Sequence, residues 1–229
     1  MVPTFDVLCS QVRMERRQPV DQDVHNRPEP RDQLWTKDQI DKLVKVADEG
    51  GVVASGNKFS PRPSIALAVL IAYDTSLPQQ DILSLKWSQF DGEGLSVNQK
   101  KKRGGREIYT PLSPSTIERI NALDKKSIYI VVAEHDGSPY LDDGTDNRIR
   151  KRMFSNSFRK CRKRAGLPDD LQFMDLRRTA LTEMGNSGAT HTEIAAMSGH
   201  SVNSGVLHVY VRPNKEAGKR AAMKRMANQ

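Results

Sequence analysis

"MDLRRTALTEM", residues 174–184, is the stretch on which the fold turns. An acid and two adjacent arginines, Asp175, Arg177 and Arg178, open a segment that otherwise has the composition of a buried helix. Ionised arginines are seldom placed beside core residues unless an anion waits there. The bland alternative is a surface salt-bridge pair, and "DLRR" by itself does not choose between the two. The anion and the chemistry have to come from the rest of the chain.

The chain has 229 residues and a net charge of +8, enough for one good core or one core and a small appendage. Excess positive charge is the electrostatic mark of a polyanionic partner, nucleic acid first. The two cysteines, Cys9 and Cys161, lie far apart and match no zinc or disulfide spacing. A reducing compartment is expected, with no structural metal. There is no apolar run of membrane-spanning length and no signal-peptide core in residues 1–20. The expectation is a soluble, cytoplasmic protein without a membrane partner.

Outward from the opening stretch, residues 1–34 read as an N-terminal extension and linker. "FDVLCSQVRMERR" places Phe5, Leu8 and Val12 on one helical side, and "QPVDQDVHNRPEPRDQ" is polar and proline-punctuated. Order is expected from Trp35 to the C-terminus. Thr36 and Gln39 form a capping-box pattern ahead of the stripe Ile40, Leu43, Val46, and Gly50–Gly51 stop that helix. "PSIALAVLIAYDT" is nearly all apolar, the pattern of a central buried helix, and "PQQDILSL" adds a brief helical turn. The period then changes. "KWSQFDGEGLSVNQKKKRGGREIYTPL" alternates around two glycine turns, which predicts three short antiparallel strands. "SPSTIERINALD" carries Pro114 in a first turn, and "SIYIVV" reads as a further strand. "DNRIRKRMFSNSFRKCRKRAG" predicts a long basic helix, with Phe154, Phe158, Cys161 and Ala165 inward and Arg159, Lys160, Arg162 and Lys163 outward. The chain has no internal repeat and no low-complexity tract. The class is mixed α/β and mostly helical.

Four features follow in order: a lysine cluster on a hairpin (Lys100, Lys101, Lys102, Arg103), "DLRRT" opening a helix, "MSGHS" closing the next, and "LHVYV" with Tyr210 ten residues after His200. In this order they resemble the catalytic domain of the tyrosine recombinase, or phage integrase, family. "DLRRTALTEMGNSGATHTEIAAMSGHS" is similar to the family's "HDLRRT…LGHS" block, and "TSLPQQDILSLKWSQFD" to its "TGLR-x-SEL" element. The resemblance implies the family's catalytic-domain fold with a small three-stranded antiparallel sheet over 35–229. It leaves residues 1–34 as a remnant of the second, core-binding domain.

The resemblance also implies a chemistry: site-specific DNA recombination or integration through a 3′-phosphotyrosine intermediate, on duplex DNA. The protein would work with itself or another recombinase as an oligomer on DNA. Bond energy stays in the covalent link, so no cofactor and no metal is needed. The crowded, extra-charged phosphorane needs fixed cations, for which the planar guanidinium fork is suited, and a lysine or histidine handles the leaving oxygen's proton. By match of position, Tyr210 is the nucleophile, Arg177 the second arginine and His200 the later histidine. One of Lys101, Lys102 or Arg103 is the hairpin lysine. Two positions depart from the pattern: Pro78 stands where the family has its first arginine, and Met174 where it has a histidine. Weakened or lost strand transfer is expected, or replacement of the missing cation by Arg62 or Arg103. A silent DNA-binding regulator, or accessory partner of an active integrase, is the alternative.

Each of these residues also has a plain structural explanation. Tyr210 alone would be a packing aromatic, His200 a cap on the preceding helix, the 100–103 run a solvated turn, and Met174 a semi-buried thioether. Lys100, Arg103, Arg159, Lys160, Arg162 and Lys163 are the expected DNA-phosphate contacts. Residues 190–211 also fit a helix-turn-helix of a transcriptional regulator, with Thr190 and Glu193 as a capping box and a recognition helix over 201–211. Arg177 and the long upstream similarity find no place in that scheme.

Overall fold

A computed structural model describes residues 31–52, 58–99, 106–140, 147–201, 205, 207–210 and 215–227. Residues 1–30, and with them nearly all of the expected extension and linker, lie outside that set. Helix α1, Lys37–Glu49, begins at the expected capping box: the Thr36 side chain accepts from the Gln39 N–H, and the Gln39 side chain accepts from the Thr36 N–H. It buries Ile40, Leu43, Val44 and Ala47 and stops at Gly50. At φ 63° a Cβ on Gly50 would lie 2.4 Å from the Phe59 carbonyl oxygen, so only glycine fits this turn. A two-residue ladder follows, β1 Gly51–Val52 against β2 Lys58–Phe59.

Helix α2, Pro63–Thr75, is the centre of the domain. Every residue from Ser64 to Ala72 is buried, as its lack of a polar face requires. It packs on α1 and on α6, Asp175–Ser187. The helix ends at Ser76, whose φ of 54° makes it a non-glycine residue in the left-handed region. Helix α3, Gln79–Leu83, starts one residue after Pro78.

The expected three-stranded sheet is present in its second and third strands. β3 Gly94–Gln99 pairs antiparallel with β4 Arg106–Pro111, from Gly94 opposite Pro111 to Gln99 opposite Arg106. The first expected strand is a 3-10 turn, Trp87–Gln89, joined to the hairpin by the single bridge Phe90–Leu95. Gln89 is the cause: its side chain accepts from the Lys86 N–H and donates to the Ser96 carbonyl, closing a turn where a ladder would need extended backbone. The expected strand at 127–132 is likewise two isolated bridges, Lys86–Tyr129 and Val132–Pro139.

Helix α4, Pro114–Asn121, and helix α5, Asn147–Arg164, complete the main layer. Phe154, Phe158 and Cys161 of α5 are buried, as their spacing predicts. Phe154 and Phe158 meet Phe173 edge-on at 5.1 and 5.5 Å, and Trp35 meets Phe158 at 6.1 Å. Trp35 also fastens the start of the domain to α6: its N–H donates to Thr179 Oγ1 and its indole to the Gln172 carbonyl. A small second cluster holds Leu181 of α6, Ile194 and Ala195 of α7 (His191–Ser198) and Leu207 of α8 (Leu207–Tyr210). Helix α9, Lys215–Met226, leans on α6 through Arg220, which donates to the Asn186 carbonyl at 2.8 Å.

Candidate active site

Asp175 at the entrance of α6 is buried and accepts from the Gln172 N–H at 2.8 Å, stabilising the helix start where a carboxylate is favoured. Two residues on, Arg177 projects to where α2 and α7 end. Its Nη1 donates to the carbonyl of Ser76, the C-cap of α2, and its Nη2 to the carbonyl of Ser198, the last residue of α7, at 3.0 Å. Both are helix C-termini, where partial negative charge favours a cation. Burial lowers the guanidinium pKa, opposed by Tyr210 and Asp81 nearby. Arginine stays charged under such a shift.

His200 comes to the same point because α7 stops at Gly199, φ 70°, and turns the next residue inward. Its ring nitrogens lie 3.3 Å from Arg177 Nη2, and Nδ1 is 2.8 Å from Ser198 Oγ. Desolvation, then the Arg177 charge, pushes its pKa down to about 4, so the imidazole is neutral at neutral pH. An anion seated against both side chains would reverse the second of these effects and make proton uptake easier. Tyr210 closes α8, held by Leu207 in the second cluster, with its ring 6.3 Å from that of His200. Its neighbours are therefore an arginine and a neutral base as well as packing partners.

The other expected residues fall into three groups. Lys100, Lys101, Lys102 and Arg103 lie outside the described residues. Pro78 and Met174 stand close along the chain to residues of the Arg177 cluster: Pro78 caps α3, two residues after Ser76, and Met174 lies three residues before Arg177. Met174 is not the semi-buried thioether expected, since it is 60% exposed, at a helix cap open to solvent. On α5, Arg159, Lys160 and Lys163 are exposed as expected, whereas Arg162 is a correction: it is only 6% exposed. Its Nη1 donates to the Leu171 carbonyl and its Nη2 to Asp169, both at 2.6 Å. The loop after α5 folds back with Leu167, Leu171 and Phe173 buried, and Arg162 satisfies the carbonyl that this burial would orphan. Arg162 is therefore held inside the fold by these bonds and not turned outward.

The helix-turn-helix alternative, which the sequence already disfavours, gains no support among the described residues. α7 begins with the Thr190–Glu193 capping box, but Ser201 is outside any helix, and the helix described beyond it is only Leu207–Tyr210. Ser76 and Ser198, which hold Arg177 through their carbonyls, were not singled out by the sequence. The one available signal was that each stands at the end of a helix adjoining a motif residue.

The sequence profile described as the phage integrase family matches residues 33–217. An integrase/recombinase of Haemophilus influenzae is 28% identical over 185 residues, 81% of this chain and 54% of that protein. The chain thus spans about half the length of that relative. In structure it resembles XerA recombinase (TM-score 0.59, 16% identity, 86% of this chain and 66% of that one). It also resembles a lambda integrase dimer bound to a COC′ core site (TM-score 0.60, 21% identity, 81% and 49%). The lambda integrase catalytic core matches with TM-score 0.53 and 20% identity over 73% of this chain and 95% of that one. With the profile covering most of its length, and with Arg177, His200 and Tyr210 gathered at one point of this fold, the chain belongs to the phage integrase family.

Proposed function

We propose that this protein binds duplex DNA and cuts and rejoins it through a 3′-phosphotyrosine link at Tyr210, with a rate lowered by the loss of two phosphate-directed groups. The observation that carries this reading is the meeting of Arg177 of α6, His200 of the turn after α7 and Tyr210 of α8: 3.3 Å from guanidinium to imidazole and 6.3 Å from imidazole to phenol ring. The Tyr210 oxygen attacks phosphorus and the bond from phosphorus to the 5′-oxygen breaks. The phenol proton passes to neutral His200, and a hairpin lysine, Lys101 or Lys102, protonates the leaving oxygen, giving a free 5′-hydroxyl. Reversal on a second strand restores every bond, so no cofactor is consumed. Arg177 holds two non-bridging oxygens through its remaining N–H groups.

Lys100, Arg103, Arg159, Lys160 and Lys163 contact backbone phosphates, so affinity falls steeply with salt as counterions are released. The structural relatives include lambda integrase as a dimer on a core site and as a tetramer on a Holliday junction, which supports assembly of this chain with itself or another recombinase on DNA. Residues 1–34 are the linker of this unit and 35–229 its catalytic domain with a basic tail. The test is incubation with nicked suicide duplexes from its own genomic attachment region. A covalent adduct that disappears in Tyr210→Phe supports strand transfer. Salt-sensitive duplex binding with no adduct supports the second reading, a silent DNA-binding partner of an active integrase. That reading is favoured by one observation, the exposed thioether of Met174 where an acid-base group would stand.

A further inference from the structure

A recess of about 390 Å³ has among its wall residues Gln79, next to Pro78, and Met174, three residues before Arg177 in the chain. Of the two positions where the family resemblance implies a missing phosphate-directed group, Met174 lines this recess and Pro78 adjoins its wall residue Gln79. Arg159, Arg162 and Asp169 also line it. These two arginines differ in what holds them. Arg162 is locked by Asp169 and the Leu171 carbonyl, whereas Arg159 is exposed and donates from Nη2 to Asn156 Oδ1, three residues back on the same helix. Ser155 sits one turn from Arg159 in the same wall and is small enough to leave the guanidinium room to swing.

Charge balance shows why a second cation is needed. Attack on a phosphodiester adds one negative charge to the phosphorus centre. Arg177 already neutralises two helix C-termini, and His200 is uncharged before the anion arrives. In the proposed step His200 and the hairpin lysine handle the protons of the attacking and leaving oxygens, so the non-bridging oxygens are left to this one shared guanidinium. Arg62 does not fill the gap. It caps the far end of α2 and donates to Ser157, and thirteen helical residues separate it from Ser76, about 20 Å at the usual rise.

We infer that Arg159 is a further catalytic residue: its guanidinium leaves Asn156, crosses the recess between Gln79 and Met174, and binds a non-bridging oxygen of the phosphate held by Arg177. The inference rests on the strand-cleavage reading above, and the experiment separates the two. Wild type, Tyr210→Phe, Arg159→Ala and Arg159→Lys are compared on the suicide duplex for adduct rate and duplex affinity. The cleavage position is mapped from the wild-type adduct, and a methylphosphonate, which carries one negative charge fewer, is placed there. Arg159→Ala is expected to slow adduct formation by about 10²-fold, with affinity changed only by the loss of one phosphate contact and Arg159→Lys intermediate. On the neutral methylphosphonate the gap between wild type and Arg159→Ala should largely close, which loss of a merely structural contact would not produce. A Tyr210-dependent adduct that is indifferent to Arg159, or a deficit unchanged on methylphosphonate, overturns the inference and leaves the function standing. No wild-type adduct at all overturns both.

Discussion

Arg177 and Arg162 are both pulled into the domain, yet they are satisfied differently. Arg162 has a carboxylate and a carbonyl within 2.6 Å. Its charge is answered, and the loop before α6 is pinned by the answer. Arg177 bonds two carbonyls and an imidazole, with Asp81 acting on it only through longer-range attraction. Helix C-termini offset the cost of burying it without cancelling its charge with a full anion. A buried arginine paired with a carboxylate is a structural residue. One held by helix-end dipoles keeps a charge that no carboxylate answers, which is what the proposed phosphate clamp requires.

The largest effect expected from this contrast is kinetic. Arg177→Ala should lower Tyr210 adduct formation by about 10²- to 10³-fold, measured under single-turnover conditions. Arg162→Ala should change adduct formation per folded molecule far less, and instead cost about 2 kcal/mol by orphaning the Leu171 carbonyl. In a thermal melt that is a fall of about 4–8 °C for a chain of this size. Equal kinetic losses in the two variants would erase the distinction.

Restoring the open side of the site should act in the opposite direction. Pro78→Arg combined with Met174→His should raise adduct formation by about tenfold or more, and the two gains should be non-additive because both groups act on one phosphate. Pro78 also sets the turn into α3, so Met174→His alone serves as the variant with little folding risk. A double variant no faster than wild type would mean that these positions do not face the phosphate.

Smaller effects test the pieces that hold His200 and Arg177. His200 has its folded pKa depressed to about 4. Between the ordinary histidine value of about 6.5 and about 4, the unfolded chain therefore binds a proton that the folded chain refuses, and stability falls as pH is lowered through that window. Denaturant titrations of wild type and His200→Gln should diverge in slope there and run parallel above about pH 7. Ser76, in the left-handed region with a buried hydroxyl lacking a hydrogen-bond partner, should gain about 1 kcal/mol on change to glycine. A loss of stability in Ser76→Gly would show that the hydroxyl is satisfied in solution.

The residues most legible in sequence were those whose signal is local. The capping boxes at Thr36 and Thr190 start α1 and α7 where expected, because each depends on side chains only three residues apart. The apolar run of α2 and the stripe of α5 show through period alone. Arg177, His200 and Tyr210 were found through the order of their motifs, and that order could not say what they touch. The first strand of the sheet was misread because alternation over 86–90 is shared by a strand and by a 3-10 turn closed through the side chain of Gln89. Met174 and Arg162 were misplaced for a common reason: exposure at a helix end, or on the flank of a basic helix, depends on how the following or preceding loop folds.

The sequence by itself determined the helical layout, the central place of α2, the family and the choice of candidate side chains, since composition, period and motif order are written along the chain. The tertiary structure alone decided which arginine is answered by a carboxylate and which is held by helix-end carbonyls. It brought the C-termini of α2 and α7 to Arg177 from positions 101 and 21 residues away along the chain. It also turned Arg159 and Arg162, three residues apart, to opposite fates by folding Leu171 back onto α5. The physical reason is that burial and electrostatic compensation are set by which backbone carbonyls and dipoles converge in space, and no local spacing encodes that convergence.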